Sequence, residues 1–166
     1  MLTFSTILEA FECTMPGLND FILTDAEIDS RKIIHGSLFI AVVGERVDGH
    51  NYVNEALARG ASAALIEHSI PTTVPVIDLS RPGEIKVKPI TSPVCLKVDS
   101  TVTALQKLAA FWRKKLPIKT IGVTGSVGKS STKELVAEVL STHYSTLKTT
   151  GNMNNELGLP LTLLKL

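Results

Sequence analysis

The sequence lacks a strong net charge, a cysteine framework and any long apolar run. Seventeen Lys and Arg residues against sixteen Asp and Glu residues leave a formal charge of +1, which gives no electrostatic footprint for nucleic acid or an anionic membrane surface. The two cysteines, Cys13 and Cys95, stand far apart without CxxC spacing, which excludes a disulfide framework and a zinc-finger type of site. No apolar run approaches the roughly 20 residues that span a bilayer, and the start MLTFSTILEAFE carries two acids and no basic leader. These absences predict a protein of the reducing cytoplasm that binds neither nucleic acid nor membrane.

The first half of the chain carries the pattern of a parallel α/β unit. Its 166 residues, 44% of them hydrophobic, suffice for one ordinary domain or two small ones. Residues 2–13 have near-helical apolar spacing. The apolar run SLFIAVVG at 37–44, a helix at 54–59 stopped by Gly60, and the run AALIE at 63–67 then follow one another as strand, helix and strand. We predict a small domain over residues 1–93, whose proline-rich stretch at 69–93 is loop with an edge ribbon at most.

The second half begins a new unit in this interpretation, over residues 94–166. The pattern predicts a strand at VCLKV (94–98), a helix at 101–116 ended by Pro117, a short buried strand at 119–124, a helix at 129–140, a second strand at 144–149 and a helix from Pro160. A parallel sheet needs several crossover units to bury both faces. This unit therefore reads as the start of a parallel-sheet domain, cut off mid-fold.

A phosphate-binding loop is the most specific feature, in the segment TIGVTGSVGKSST at 120–132. It follows a predicted strand and opens a predicted helix, where glycines permit close backbone approach and the helix end favours anions. Val123 stands where GxxxxGK[ST] requires glycine, so the loop has the shorter form TGSxGK[ST][ST]; a chance glycine-rich turn is the alternative. Lys129 is the catalytic candidate, and Ser130 the ligand for Mg²⁺. The nucleotide-binding candidates are Gly125, Ser126, Val127, Gly128, Lys129, Ser130 and Ser131.

Four ordered segments together resemble the Mur ligases of peptidoglycan synthesis. They are DSR at 29–31 with GSLFIAVVGERVDGH at 36–50, VDSTVTALQKLAAFWR at 98–113, TGSVGKSSTKE at 124–134 and GNMNNELGLPLTLL at 151–164. Within the family, the last segment is most similar to members that add D-alanyl-D-alanine to UDP-N-acetylmuramoyl-tripeptide. The resemblance implies a UDP-sugar-binding domain followed by the first part of a P-loop ATPase domain.

The same resemblance implies a reaction with ATP and Mg²⁺. The tripeptide carboxylate takes the γ-phosphate of ATP, and the amine of D-alanyl-D-alanine attacks the resulting acyl phosphate. Lys129 and the metal would neutralise charge on the moving phosphoryl group. Related readings stay open: the family member that adds the third amino acid, a UDP-sugar-binding module without catalysis, and a generic P-loop kinase or GTPase.

The candidate substrate residues are carried mainly by the resemblance. Ser30 and Arg31 would bind the UDP moiety, although an Asp-Ser pair is by itself an ordinary turn or helix cap. His50 follows a predicted strand, where α/β sheets place ligands, and is otherwise a partly exposed loop residue. Three amides, those of Asn152, Asn154 and Asn155, would contact the sugar, diphosphate or peptide. Without the resemblance they build a turn or cap the last helix.

Several parts that the resemblance implies have no candidate in these residues. They are an acidic residue completing magnesium coordination, a histidine near it, a modified lysine and a carboxy-terminal domain. We therefore expect the 166-residue chain to be inactive as a ligase on its own. We also expect its uncovered apolar helix at 160–166 to favour oligomers.

Overall fold

A five-stranded parallel sheet forms the centre of the computed structural model, which describes residues 1–85, 90–151, 153 and 155–166. The strands are β1 (Cys13–Thr14), β2 (Ala26–Glu27), β3 (Leu38–Ile40), β4 (Ala63–Ile66), β5 (Val76–Asp78), β6 (Gly83–Glu84) and β7 (Val94–Lys97). The large sheet has the order β2-β3-β4-β7-β5, while β1 and β6 pair separately. All the pairings between these strands are parallel. The α/β class predicted from the sequence is therefore confirmed.

Five helices accompany the strands in the described part of the chain. They are α1 (Phe4–Ala10), α2 (Val53–Ala58), α3 (Thr101–Lys115), α4 (Lys129–Ser141) and α5 (Gly158–Leu163), with 3₁₀ turns at Ser30–Lys32 and Gly49–Tyr52. The hydroxyl of Ser100 accepts a hydrogen bond from the amide of Thr103 and caps α3. Each predicted helix is present within a few residues of its predicted bounds. None of the described helices has the length and apolar character needed to cross a membrane.

The sheet is buried on both faces because helices and loops cover each side. Alternate residues of a strand point to opposite faces. In β4, Leu65 belongs to the larger core with α1, α3 and α5, whereas Ile66 belongs to the smaller core beside α2. All four residues of β4 are buried, which is why AALI reads as a continuous apolar run.

Strand β7 is an interior strand of the large sheet, between β4 and the edge strand β5, although the sequence pattern placed Val94 at the start of a new unit. Ala63 pairs with Val94 and Ile66 with Lys97, while β5 pairs with the other edge of β7. The proline-rich stretch supplies β5 as the edge strand, so the chain must return to fill the position between β4 and β5. Helix α3 then packs against α1. The division of the chain at residues 93 and 94 stays a prediction, but β7 shares the sheet of the first unit.

The predicted strands at 119–124 and 144–149 are wrong for the described chain. Both segments are without regular secondary structure, and Ile121 and Tyr144 are 60% and 67% exposed. A strand needs neighbouring strands to satisfy its backbone groups, and no described residue pairs with either segment. Helix α4 buries Ala137 and leaves Lys133, Val136 and Leu140 half-buried, while its other residues are exposed. Its apolar Leu135 and Val139 face solvent.

The expectation of an uncovered apolar helix at 160–166 is wrong, because Leu161 and Leu164 are buried in the core and α5 packs against α3. The expected oligomer stays a prediction.

Candidate functional site

The phosphate loop has the backbone conformation that its glycines predict. Gly125 has a φ of 146° and Gly128 a φ of 79°, both in the region that side chains rarely adopt. Gly128 caps α4, and the first amide of this helix to donate to a described backbone acceptor is that of Thr132, to the carbonyl of Gly128 at 2.9 Å. The helix-opening amides of residues 129–131 remain directed out of the helix end. The loop thus presents a set of amide donors to an anion.

Lys129 lies across this loop rather than pointing away from it. Its Nζ donates a hydrogen bond to the carbonyl of Gly125 at 2.6 Å. Ser130 follows in the first turn of α4 and is exposed, as are Ser126, Val127 and Ser131. The amides and the ammonium suit phosphate oxygens, and the Ser130 hydroxyl is an oxygen ligand of the kind that Mg²⁺ accepts. The predicted nucleotide residues are therefore brought together, and their binding role stays a prediction.

A cleft of about 620 Å³ lies beside the Asp29-Ser30-Arg31 turn, next to the large five-stranded sheet. The opposite wall comes from the loop after β3, with Gly44 and Val47, and α2 contributes Glu55. Leu157, from the Asn-rich segment, completes the lining. The structure therefore brings the predicted substrate residues Ser30 and Arg31 to the same cleft as the end of the Asn-rich segment. No residue of 120–134 lines this cleft.

The DSR turn presents a compensated charge pair to the cleft. Asp29 Oδ1 accepts hydrogen bonds from the amide and from Nε of Arg31, at 3.1 and 2.9 Å, and Oδ2 accepts from Nη2 at 2.9 Å. These hydrogen bonds from Arg31 lower the pKa of Asp29 from 3.8 to about 2. Ser30 is buried, while the side chain of Arg31 is 80% exposed. Arg31 can therefore swing to an anionic ligand only by exchanging its bonds with Asp29.

His50 is buried, contrary to its interpretation as a partly exposed loop residue. It is 4% exposed, and Nε2 accepts a hydrogen bond from the backbone N–H of Glu67 at 2.8 Å. Because a backbone N–H can only donate, the ring proton lies on Nδ1, which contacts Asp48 Oδ1 at 2.6 Å. Both ring nitrogens thus hold the loop after β3 against the end of β4. Direct contact between His50 and a substrate stays a prediction, and it would require breaking one of these bonds.

His68 completes a cluster with Asp48 and His50 at the carboxyl edge of the sheet. Its Nε2 lies 3.0 Å from Asp48 Oδ2, and its ring stacks on His50 with centroids 3.8 Å apart. The three residues place ligand atoms within 4.8 Å of one another, but binding of a metal at Nδ1 of His50 would put a proton on Nε2, facing the Glu67 N–H. This donor set is therefore a hydrogen-bonded lock rather than a metal centre. The position of His68 directly after the AALIE strand could have signalled it in the sequence.

The Asn-rich segment contributes one described candidate residue, Asn155. Asn152 and Asn154 lie outside the described residues. Asn155 accepts a hydrogen bond through Oδ1 from the amide of Gly158 at 2.8 Å. It thereby satisfies the first amide of α5, although Leu157 is the N-cap residue, in line with the alternative that these amides serve a turn or helix start. Its role in substrate contact stays a prediction.

Two family models match the chain. The model described as "Mur ligase family, catalytic domain" matches residues 25–113, and the model described as "Mur ligase middle domain" matches residues 123–166. The first match carries the residues that line the cleft except Leu157. The second match carries the phosphate loop from Val123 onward and Leu157. Apart from Leu157, the two candidate sites therefore fall in two different matched domains.

Curated relatives and solved structures match nearly the whole chain. The UDP-N-acetylmuramoyl-tripeptide--D-alanyl-D-alanine ligase of Bacillus subtilis is 37% identical over 164 residues, 98% of this chain and 32% of the relative. That of Synechocystis is 40% identical over 162 residues, 97% of this chain and 32% of the relative. Crystal structure I of MurF from Acinetobacter baumannii superposes with a TM-score of 0.74 at 32% identity, covering 98% of this chain and 32% of that one.

A fourth match carries a nucleotide in its description. The MurF ligase of Thermotoga maritima, solved in complex with ADP, has a TM-score of 0.63 at 34% identity and covers 84% of this chain and 28% of that one. The chain thus spans about a third of the length of the curated relatives, 32% in the first two. Because one family model alone covers residues 25–113 of the 166, more than half, the chain belongs to the Mur ligase family.

Proposed function

We propose that this chain is part of an ATP-dependent ligase that joins D-alanyl-D-alanine to UDP-N-acetylmuramoyl-tripeptide. One observation carries the proposal: a substrate-sized cleft at the DSR turn and a phosphate loop occur together in a chain that aligns over 98% of its length with a ligase named for this reaction. Each half of the reaction, nucleotide-linked substrate and ATP, then has its own candidate site.

The phosphate loop would hold the β- and γ-phosphates of ATP. Amides 125–131 and the start of α4 provide donors and the positive end of a helix dipole. Lys129 would exchange its 2.6 Å bond to Gly125 for a phosphate oxygen. Ser130 would ligate Mg²⁺, which when bound offsets charge on the phosphates. The relative from Thermotoga maritima was solved in complex with ADP, which supports binding of an adenine nucleotide by this chain.

The cleft would hold the UDP moiety of the substrate. Arg31 is mostly exposed and can reach a diphosphate oxygen, while Asp29 keeps it oriented in the apo chain. A guanidinium suits this task because its planar donors match phosphate oxygens. Leu157 in the cleft wall brings the Asn-rich segment next to the bound sugar and peptide. The side-chain amides of the Asn-rich segment are the groups that would hydrogen-bond the sugar and the peptide.

The chemistry follows from activating a poor leaving group. A carboxylate oxygen of the tripeptide attacks the γ-phosphorus of ATP, and ADP leaves. The amine of D-alanyl-D-alanine then attacks the acyl carbon, and inorganic phosphate leaves with the former carboxylate oxygen, while the amine loses its proton. This chain would contribute charge neutralisation by Lys129 and orientation of the two substrates.

Calorimetric titration with each ligand separately tests the proposal. We expect the chain to bind UDP-N-acetylmuramoyl-tripeptide in the absence of ATP·Mg²⁺, and ATP·Mg²⁺ in the absence of the UDP ligand. Lys129→Ala should weaken the binding of ATP by about tenfold or more, because a charge-assisted contact is lost. The affinity for the UDP ligand, measured alone, should not change. Arg31→Ala should show the opposite pattern. A chain that binds neither ligand at millimolar concentration would overturn the proposal.

A second candidate function is a UDP-sugar-binding module without catalysis. It is favoured by the exposure of the phosphate loop, whose residues 124–132 have no buried member. Binding of the UDP ligand with no detectable ATP binding would support this candidate. A stronger response to a UDP-muramoyl-dipeptide than to the tripeptide would instead favour the family member that adds the third amino acid.

We extend the proposal to a cytoplasmic location. Cys13 and Cys95 are both free and buried, and burial raises the pKa of the Cys95 thiol from 9.0 to about 11. Such thiols are unreactive and suit a reducing compartment, where ATP is also available.

A further inference from the structure

Lys133 makes contacts that an exposed helical lysine does not need. Its Nζ donates hydrogen bonds to the carbonyls of Thr149 and Gly151, at 2.7 and 3.2 Å, and lies 3.2 Å from Glu134 Oε1. The side chain is 19% exposed. Ordering a lysine costs side-chain entropy, so two converging carbonyls mark a built contact between α4 and the chain that follows it.

The position of Lys133 on α4 relates it to the phosphate loop. It lies four residues after Lys129, so the two side chains leave the same face of the helix one turn apart. Lys129 reaches back to Gly125, whereas Lys133 reaches forward to Thr149 and Gly151. One helical face thus touches the phosphate loop at one end and the entrance to the Asn-rich segment at the other.

Gly158, at the far end of the Asn-rich segment, makes close contacts of its own. A Cβ atom added at Gly158 would lie 2.6 Å from the Cα of Met153, so the backbone approaches closely there, and Asn155 Oδ1 accepts a hydrogen bond from the amide of Gly158. Between these anchors and α5, Leu157 lines the cleft. The segment 149–157 therefore contacts Lys133 at its start, through Thr149 and Gly151, and lines the candidate UDP site at its end, through Leu157.

We infer that Lys133 is a positioning residue, which fastens the Asn-rich segment to the phosphate-loop helix and so couples nucleotide binding to binding of the UDP-linked substrate. The inference deepens the proposed function and rests on it for the identity of the two ligands. Movement of α4 when phosphate binds would be transmitted through the two carbonyl bonds to the cleft wall. No covalent step is involved.

The first test measures the fastening without any ligand. We expect Lys133→Met to accelerate amide hydrogen exchange in peptides spanning 149–158 by about tenfold, the effect of losing charged hydrogen bonds. Lys133→Arg should stay near wild type, since a guanidinium can donate to both carbonyls. Lys148→Met is the matched control, because Lys148 contacts only the exposed Glu134 among the described hydrogen-bond partners. Equal exchange in Lys133→Met and wild type would overturn the inference.

The second test measures the coupling. The dissociation constant of UDP-N-acetylmuramoyl-tripeptide is determined by calorimetry with and without saturating ATP·Mg²⁺. We expect ATP to tighten this ligand by about fivefold or more in the wild type. In Lys133→Met the ratio should fall to one, while the dissociation constant of ATP alone stays unchanged. If Lys133 only stabilised the fold, Lys133→Met would lower thermal stability and leave the ratio of the two dissociation constants as in the wild type.

The outcomes separate the two proposals. Binding of both ligands with no coupling in the wild type, or with coupling that survives Lys133→Met, overturns the role of Lys133 and leaves the proposed function standing. Failure of the wild type to bind either ligand overturns the proposed function. In that case faster exchange in Lys133→Met would still support the fastening role, and unchanged exchange would overturn it.

Discussion

The sheet around β4 and the helix after the phosphate loop differ in what holds them in shape. In the sheet, Leu65 and Leu96 are fully buried and their strands pair with neighbours on both sides. Around the loop, residues 124–132 contain no buried member, and α4 buries Ala137 alone. The first region depends on contacts between distant parts of the chain. The second takes its conformation from local features, namely two glycines with positive φ and a helix start.

The largest expected effect comes from comparing the same substitution in both regions. Leu96→Ala removes a fully buried side chain from the sheet centre and should lower the free energy of unfolding by about 2–5 kcal/mol, because a cavity remains. Leu135→Ala, at a residue 63% exposed on α4, should change it by about 0.5 kcal/mol or less. Urea unfolding followed by circular dichroism measures both. If the two variants lost similar free energies of unfolding, Leu135 would be packed in solution, and α4 would not differ from the sheet in this respect.

The histidine lock offers a second comparison. His50→Ala leaves the part-buried amide of Glu67 without its acceptor, which should cost about 1–3 kcal/mol. Asp48 loses the ring donor but keeps the backbone amide of residue 50 and His68 Nε2. His143→Ala, in the exposed chain after α4, is the matched control and should be neutral. The same urea titration detects the difference. A neutral His50→Ala would show that water replaces the ring.

The contrast also explains how much could be predicted from sequence. Helix α4 and the loop conformation follow from Gly125, Gly128 and the helix that begins at Lys129, which are all local signals. The buried strand predicted at 119–124 fails because burial depends on partners that no local pattern encodes. The sequence pattern did not predict that β7 lies between β4 and β5 in the large sheet, for a related reason. Its neighbours are decided by the return of the chain from the edge strand β5, not by the residues VCLKV themselves.

The candidate site divides in the same way. Lys129 and Ser130 could be placed by motif alone. The burial of His50 and its bond to the amide of Glu67 could not, since 17 positions separate the two residues. The carboxyl-edge rule would have pointed to His68, but the carbonyl contacts of Lys133 have no sequence signal, because lysine on a helix is ordinarily solvated.

Two glycines with similar φ give a third, smaller comparison. Gly36 has a φ of 89°, and an added Cβ would lie 2.8 Å from Thr24 Cγ2, whereas at Gly128, with a φ of 79°, it would meet nothing within 4 Å. Both alanine variants carry the left-handed strain of about 1–2 kcal/mol, and Gly36→Ala adds a steric clash with Thr24. In urea unfolding we expect Gly36→Ala to be the more destabilised. Gly128→Ala should instead weaken ATP binding, measured by calorimetry, and equal losses of stability would contradict the assignment of Gly128 to a local, uncoupled segment.

The smallest expected effect is the pH dependence of the lock. The hydrogen bond to Asp48, followed by that to the Ser69 carbonyl, raises the pKa of His68 above 6.5, so this contribution to stability is complete below pH 6.5 and is lost as the pH rises through the raised value. The hydrogen bond from the His50 amide, and then that from its ring, lower the pKa of Asp48 from 3.8 to about 2. The contribution of Asp48 to stability is therefore complete above pH 3.8 and is lost as the pH falls towards 2. Both contributions are complete between these limits.

His68→Gln separates the two halves of this profile. The variant keeps a polar side chain but cannot titrate. The midpoint of thermal unfolding should therefore fall below that of wild type at pH values under 6.5 and approach it as the pH rises past the raised pKa of His68. Glu134 on α4 provides the control from the other region. Lys148 and then Lys133 lower its pKa below 4.5, yet Glu134→Gln should leave the global midpoint unchanged between about pH 3 and pH 6, because α4 opens without the sheet. If the thermal midpoint changes in Glu134→Gln but not in His68→Gln, global unfolding would depend on the region around the phosphate loop rather than on the sheet. That result would contradict the contrast between the two regions.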